Sequence, residues 1–199
     1  MSLLLYLDTE TTDKYTATAG CTQLSAIIVR NGKEVSRFNV DINPYTYNRD
    51  ITVSSKALEV TNKTIKGLKS YPPVFIGYTK FVTWLNAHRD IGEYYTLVAY
   101  RTAFDVGILE GLFKDQSGSS HKLYEYIQYK TLDILQLVLF AELYGLLHGV
   151  KNHKLTTMCE YYGIDLDAHD SMEDIVATRK LHKQIMRDLR LPTATIRSV

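Results

Sequence analysis

An apolar run that ends in two carboxylates constrains this chain more than any other stretch of its sequence. Residues 3–7 (Leu-Leu-Leu-Tyr-Leu) are apolar without a break, which is typical of a short strand buried on both faces of a sheet. Asp8 and Glu10 follow directly, and residues two apart in an extended chain point to the same face. Two like charges beside a hydrophobic strand are costly unless a cation offsets them. The stretch therefore predicts either a divalent-cation site or two solvated acids at the end of a strand.

The composition is that of a globular protein of one domain. The 199 residues are 45% hydrophobic and 23% charged, which suffices for a sizeable core. Lys and Arg number 23 against 22 Asp and Glu, so the net charge of +1 indicates no partner by itself. The two cysteines, Cys21 and Cys159, have no paired spacing, which argues against a disulfide framework or a zinc site. No apolar stretch reaches the length of a signal sequence or a membrane span, so we expect a cytoplasmic protein without a membrane partner.

The remaining apolar patterns alternate between strand and helix periods. Asn31-Gly32 separates two runs rich in β-branched residues and predicts an antiparallel hairpin, which extends the first strand into a meander. The expected strands cover residues 23–30, 34–42, 95–100 and 130–132, and the expected helices cover residues 54–60, 74–88, 103–114, 134–147, 154–162 and 171–190, with loops at 43–52 and 116–120. This order predicts an α/β domain over residues 1–190, in which a mixed sheet is flanked by helices, and a flexible tail over residues 191–199.

Two further acidic positions are candidates to join the first pair. Asp105 is expected to open a helix just after a strand, where the sites of α/β proteins gather, although the helix dipole alone also stabilises an Asp in a first turn. Asp174 lies three residues after Ser171, a spacing typical of a capping box. A capping box explains the acids of this segment without any function, but it does not explain His169, five residues before Asp174. His169 and Asp174 are therefore candidates to face one side of a metal site.

Taken together, these motifs resemble those of the DEDDh family of 3′–5′ exonucleases, which includes replicative proofreading exonucleases. The motifs are Leu7-Asp8-Thr9-Glu10-Thr11-Thr12, then Phe104-Asp105-x-x-x-Leu109, then His169-x-x-x-x-Asp174, in the order that the family has. The resemblance covers residues from about 3 to 185 and implies an RNase H-like fold. It also implies that Asp8, Glu10, Asp105 and Asp174 bind two divalent cations, Mg²⁺ or Mn²⁺, and that His169 is the general base.

The chain departs from the family pattern beside the second motif. Where the family usually has His-Asn, this chain has Tyr100-Arg101. Thr11, Tyr100 and Arg101 are the candidate substrate-binding residues, and Arg101 is either a ligand of a phosphate or a surface cation near Asp105. Two basic clusters are candidates for binding the phosphate backbone, or else are solvated faces: Arg179, Lys180, Lys183, Arg187 and Arg190 on the last helix, and Lys63, Lys66 and Lys69.

The function implied by the resemblance is hydrolysis of phosphodiester bonds at the 3′ end of DNA, single-stranded or frayed, with release of nucleoside 5′-monophosphates. Two divalent ions about 3.5–4 Å apart would serve the attacking water and the leaving oxygen. The alternatives are an RNA-trimming exoribonuclease of the same family, a catalytically silent nucleic-acid-binding or replication-complex subunit, and an α/β interaction domain with coincidental acids. The sequence leaves open whether the chain acts alone, forms a homodimer or docks onto a replication partner.

Overall fold

A five-stranded mixed sheet forms the centre of the molecule. The computed structural model describes residues 3–167 and 170–189. The strands are β1 (Leu3–Thr11), β2 (Cys21–Arg30), β3 (Lys33–Asp41), β4 (Thr96–Ala99) and β5 (Leu132–Asp133), in the spatial order β3-β2-β1-β4-β5. β1, β2 and β3 pair antiparallel, whereas β4 and β5 are added in parallel on the other side of β1. The predicted combination of a meander with parallel strands is confirmed.

Helices cover both faces of this sheet. They are α1 (Ser55–Val60), α2 (Ile65–Ser70), α3 (Val74–Ala87), α4 (Thr102–Ser117), α5 (Ile134–Leu143), α6 (Leu155–Tyr162) and α7 (Ser171–Asp188). Short 3₁₀ helices lie at Pro44–Thr46 and Ser120–Glu125. α3 and α4 pack with Leu5 and Leu7 of β1 on one face, and α5, α6 and α7 pack with Tyr6 on the other. None of the helices in the described part of the chain combines the length and the apolarity that spanning a membrane requires.

Several element boundaries differ from the predicted ones. β1 continues to Thr11, so Asp8 and Glu10 lie inside the strand rather than after it, because the pairing with β2 extends beyond the apolar run. α5 ends at Leu143, earlier than predicted, where Gly145 adopts a positive φ of 69°. α4 continues into the predicted loop at 116–120 and ends at Ser117, where Gly118, whose φ is 80°, is the C-cap. α2 was not predicted at all. The domain limits of 1–190 and the tail at 191–199 stay predictions, since residues 190–199 lie outside the described residues.

The hairpin turn was predicted correctly, whereas the cap of α7 was predicted wrongly. Asn31 and Gly32 have positive φ angles of 51° and 79°, as the hairpin requires. Ser54 caps α1. The prediction of a capping box at Ser171 is wrong. The N-cap of α7 is Asp170, whose carboxylate accepts hydrogen bonds from the two amides at positions 172 and 173. The Ser171 hydroxyl is instead 2.6 Å from the hydroxyl of Ser25 on β2, and this contact anchors the first turn of α7 to the sheet.

Gly77 marks a close approach of α3 to the chain that follows β3. A Cβ atom at this position would lie 2.8 Å from Cγ1 and 3.0 Å from Cδ1 of Ile42, which is fully buried. We therefore expect Gly77→Ala to lower the free energy of unfolding by about 1–3 kcal/mol, although alanine is the better helix former. Urea denaturation measures the change. Lys80→Ala, on the exposed side of the same helix, is the control, and equal stability of the two variants would contradict this packing.

Candidate active site

Three carboxylates from two distant parts of the chain meet near the end of β1. Carboxylate oxygens of Asp8, Glu10 and Asp174 all lie within 4.8 Å of one another. Asp8 and Glu10 follow Tyr6 at intervals of two residues, so they share the face of the sheet on which α7 packs. Asp174 lies in the first turn of α7, which the contact between Ser171 and Ser25 anchors to that same face. Asp8 and Glu10 of the first sequence motif and Asp174 of the third therefore come together.

The fourth acid, Asp105, approaches from the opposite side of β1. Thr9 lies between the two β1 acids, and its side chain therefore points toward the layer of α4. There the Thr9 hydroxyl donates a hydrogen bond to Oδ1 of Asp105 at 2.9 Å, and Asp105 is buried in the first turn of α4. Asp105 is not part of the 4.8 Å cluster, but it lines the same cleft of about 600 Å³ as Asp8, Glu10 and Asp174.

Burial and mutual repulsion disfavour the charged forms of these acids. The pKa of Asp8 lies well above its usual range, because partial burial desolvates its carboxylate and the negative charges of Asp105 and Asp174 lie nearby. The pKa of Glu10 is raised to about 7 by burial first and by Asp174 second, while the Lys63 ammonium opposes both. Burial also raises the pKa of Asp105, despite its hydrogen bonds with Thr9. Such a cluster fits divalent cations, whose charge offsets the repulsion and whose preferred ligands are oxygens.

We expect Mg²⁺ or Mn²⁺ to stabilise the folded chain more strongly at about pH 8 than at about pH 5.5. Glu10 keeps its proton in the folded state up to about pH 7, but loses it above its ordinary value of 4.5 when the chain unfolds. Without metal, its contribution to stability is therefore present at low pH and is lost as the pH rises between these two values. A cation that binds the ionised folded state reverses this loss.

Differential scanning calorimetry with excess cation or with EDTA measures this effect. At about pH 8 and about a hundred times the Kd, Tm should rise by about 5–10 °C. Asp8→Asn should remove most of this increase. Equal increases in Tm at both pH values would contradict the assignment of Glu10 to the cation site.

One part of the cleft lining was not recognised from the sequence. It is formed by α1 and its flanks, with the lining residues Ser54, Lys56, Ala57, Val60 and Thr61. The Ser54 amide donates to the carbonyl oxygen of Thr12 at 2.8 Å, so this part of the lining is tied to the end of β1. Its mixture of apolar and cationic groups suits a strand of nucleic acid. A helix of six residues carries too short an apolar pattern to indicate such a role.

The three candidate substrate-binding residues all line the cleft. The Tyr100 hydroxyl donates to the carbonyl oxygen of His153 at 2.6 Å, and the Thr11 hydroxyl donates to that of Asp13 at 2.8 Å. These two hydroxyls therefore already have partners within the protein. Arg101 is exposed in the cleft and adopts a left-handed backbone conformation, with φ 69° and ψ 55°.

The two predicted basic clusters lie at different distances from the acidic cleft. Arg179, Lys183 and Arg187 line a separate pocket of about 360 Å³ beside Leu4 and Tyr6, toward the start of β1 and away from the acids at its other end. Arg179 is also paired with Glu34. In the second cluster, the charge of Lys63 acts on Glu10, whereas Lys66 and Lys69 are exposed on α2. His169 and Arg190 lie outside the described residues, so their places stay predictions.

The chain matches a known protein family and is similar in sequence to several characterised proteins. The model of the RNase_T family, described as an exonuclease, matches residues 5–182. DNA polymerase III PolC-type of Bacillus cereus is 29% identical over 183 residues, which are 92% of this chain and 11% of that protein. The PolC-type polymerase of Bacillus subtilis is also 29% identical, over 91% of this chain and 11% of its own length. The chain thus spans about a tenth of the length of these relatives.

Solved structures share the fold at lower identity. E. coli exonuclease I in a complex with single-stranded DNA has a TM-score of 0.75 and 16% identity, over 97% of this chain and 42% of that chain. The same enzyme with a dT13 oligonucleotide has a TM-score of 0.75 and 17% identity, over 96% and 42% of the two chains. The predicted RNase H-like fold is confirmed.

Proposed function

Because the chain belongs to the RNase_T family of exonucleases, with motifs of the DEDDh type, we propose that it removes nucleotides from the 3′ end of single-stranded or frayed DNA. The observation that carries this proposal is the cluster of Asp8, Glu10 and Asp174, with Asp105 across the same cleft. DNA is favoured as the substrate because the similar structures of exonuclease I hold single-stranded DNA and the PolC-type relatives are DNA polymerases. The products are nucleoside 5′-monophosphates.

Two divalent cations, Mg²⁺ or Mn²⁺, fit the donor set that these residues offer. All four side chains are carboxylates, which are hard oxygen donors. When bound, such ions polarise the phosphate and stabilise the charge that develops on the leaving oxygen. Asp8 would hold both cations, because its carboxylate lies within the electrostatic influence of Asp105, Asp174 and Glu10. Glu10 and Asp174 would be the further ligands of one cation, and Asp105 would be a ligand of the other.

The protein's own groups have separate tasks in the reaction. His169 accepts the proton of the attacking water, a role that suits an imidazole at neutral pH. Thr9 fixes the carboxylate of Asp105 by the hydrogen bond described above. Phe104 and Val60 line the cleft with apolar surface, against which the terminal base packs, and Arg101 provides a cation beside them for a phosphate.

We propose that residues 1–190 form one exonuclease domain, which works with a replication polymerase or as a homodimer. The PolC-type relatives carry the matching segment within a much longer polymerase, which favours a replication partner. Sedimentation velocity of the purified chain, alone and mixed with a replicative polymerase, distinguishes the two arrangements.

The function is tested with one oligonucleotide sequence as DNA and as RNA, labelled at either end, in Mg²⁺, Mn²⁺ or EDTA. We expect 5′-labelled DNA to shorten stepwise and 3′-labelled DNA to release a mononucleotide, and EDTA to stop both. Asp8→Asn, purified in the same way, controls for contaminating nucleases. Faster trimming of RNA would favour the exoribonuclease. Binding without cleavage in either metal would favour the silent subunit.

A further inference from the structure

Arg101 has a backbone conformation that, among the described residues, is otherwise found only at glycine and asparagine. Its φ of 69° lies in the left-handed region, which costs a side chain with a Cβ atom conformational energy. The other positive-φ residues in the described part of the chain are Asn31, Asn62, Gly32, Gly92, Gly118, Gly145, Gly149 and Gly163. Glycine would adopt this turn without strain. A long cationic side chain at such a position, within the catalytic cleft, indicates that the side chain is used there.

A single carboxylate stabilises the strained turn. Oδ1 of Asp133 accepts a hydrogen bond from the Arg101 amide at 3.0 Å, and Oδ2 accepts one from the Thr102 amide at 3.1 Å. Oδ1 also accepts from the Leu135 amide at 2.9 Å, so Asp133 is at the same time the N-cap of α5. Asp133 is itself fixed, because β5 pairs with β4 at Ala99. It therefore joins the start of α4 to the start of α5.

We propose that Asp133 is a positioning residue, which holds the Arg101 turn so that the guanidinium meets a phosphate of the bound strand. This inference rests on the proposed function. The guanidinium forms no ion pair with any other described residue, and arginine binds phosphate through charge-assisted, often bidentate, hydrogen bonds. Asp105 follows in the first turn of α4, so the same anchor fixes Arg101 relative to a proposed cation ligand.

A double-mutant cycle between Arg101 and Asp133 tests the inference. Arg101→Gly removes the side chain and the strain together. We expect KM for a single-stranded oligonucleotide to rise about tenfold, kcat to change by less than about threefold, and Tm to stay equal or rise. The slope of log KM against log salt should fall by about 0.7, as expected for the loss of one phosphate contact.

Asp133→Asn should raise KM by about threefold to tenfold in the wild-type background and leave it unchanged in the Arg101→Gly background. Asp133→Ser repeats the test with a residue that still caps α5 but is too short to hold both amides of the turn. Thr64→Ala, which removes only the hydroxyl that caps α2, is the control and should lower Tm without changing KM. The same increase in KM from Asp133→Asn in both backgrounds would overturn the inference.

Fluorescence anisotropy with the same oligonucleotide in Ca²⁺ separates this inference from the proposed function. If the wild-type chain cleaves nothing in Mg²⁺ or Mn²⁺, the proposed function fails, whereas the cycle can still be measured through Kd. If the chain cleaves DNA but the two substitutions are additive in both KM and Kd, only the positioning role of Asp133 fails.

Discussion

Asp8→Asn is expected to lower kcat for removal of the 3′-terminal nucleotide by at least about a thousandfold and to leave the chain folded. The carboxylate of Asp8 lies near the other three acids, so its loss should weaken both proposed cation sites. The transition-state stabilisation lost with the cations is several kcal/mol. In EDTA at about pH 8, the variant should be at least as stable as the wild type, because it no longer buries a charge beside other charges. Single-turnover kinetics and thermal unfolding measure the two effects.

Asp13→Asn is the matched control for this substitution. Asp13 lines the same cleft but is not one of the three clustered acids, and its Oδ1 accepts the Lys14 amide at 2.8 Å, a bond that asparagine also makes. We expect its kcat to stay within about threefold of the wild-type value. Wild-type cleavage by Asp8→Asn, or complete inactivity of Asp13→Asn, would show that the cation ligands are assigned wrongly.

His169→Gln is expected to lower kcat by about a hundredfold to ten thousandfold, the range that general-base catalysis supplies. With Mg²⁺ at saturation, the wild-type rate should rise from about pH 6 and level off once the imidazole is neutral, since an unperturbed histidine titrates near about 6.5. Glutamine has no titrating proton, so the residual rate of the variant should lack this rise. A pH–rate profile from about pH 6 to 9 measures both effects.

His121→Gln provides the control for His169. His121 is exposed in the 3₁₀ helix Ser120–Glu125, outside the cleft lining, and its replacement should preserve the wild-type profile. A profile that is flat in the wild type and in His169→Gln alike would remove His169 as the base. If His121→Gln lost the pH dependence of the rate, this dependence would not come from His169.

Those parts of the fold that local chemistry decides could be predicted from the sequence. Asn-Gly at 31–32 requires a turn with positive φ wherever it joins two strands, so the hairpin followed directly from the residues. The end of β1 could not be predicted in this way. It depends on pairing of Glu10 with Gln23 in β2, and an apolar run carries no information about its partner strand.

In the candidate site, too, some features could be predicted from the sequence and others depend on tertiary contacts. The meeting of Asp8, Glu10 and Asp174 followed from three motifs in a familiar order. The capping interpretation of Ser171 failed because a tertiary hydrogen bond with Ser25 replaced the local one. The hydrogen bonds from Asp133 to the Arg101 turn could not be predicted either, because they form only when β5 pairs with β4.

The alternation of side chains along β1 divides the proposed cation ligands between two layers of helices. Asp105 belongs to the layer of α4, and Asp174 belongs to the layer of α7 on the other face of the sheet. A pair of cations bound by both would link these layers at the rim of the sheet. Any shift of the α4 layer relative to the α7 layer would then change the distances between the ligands. The affinity for cations would therefore depend on how the two helix layers pack against the sheet.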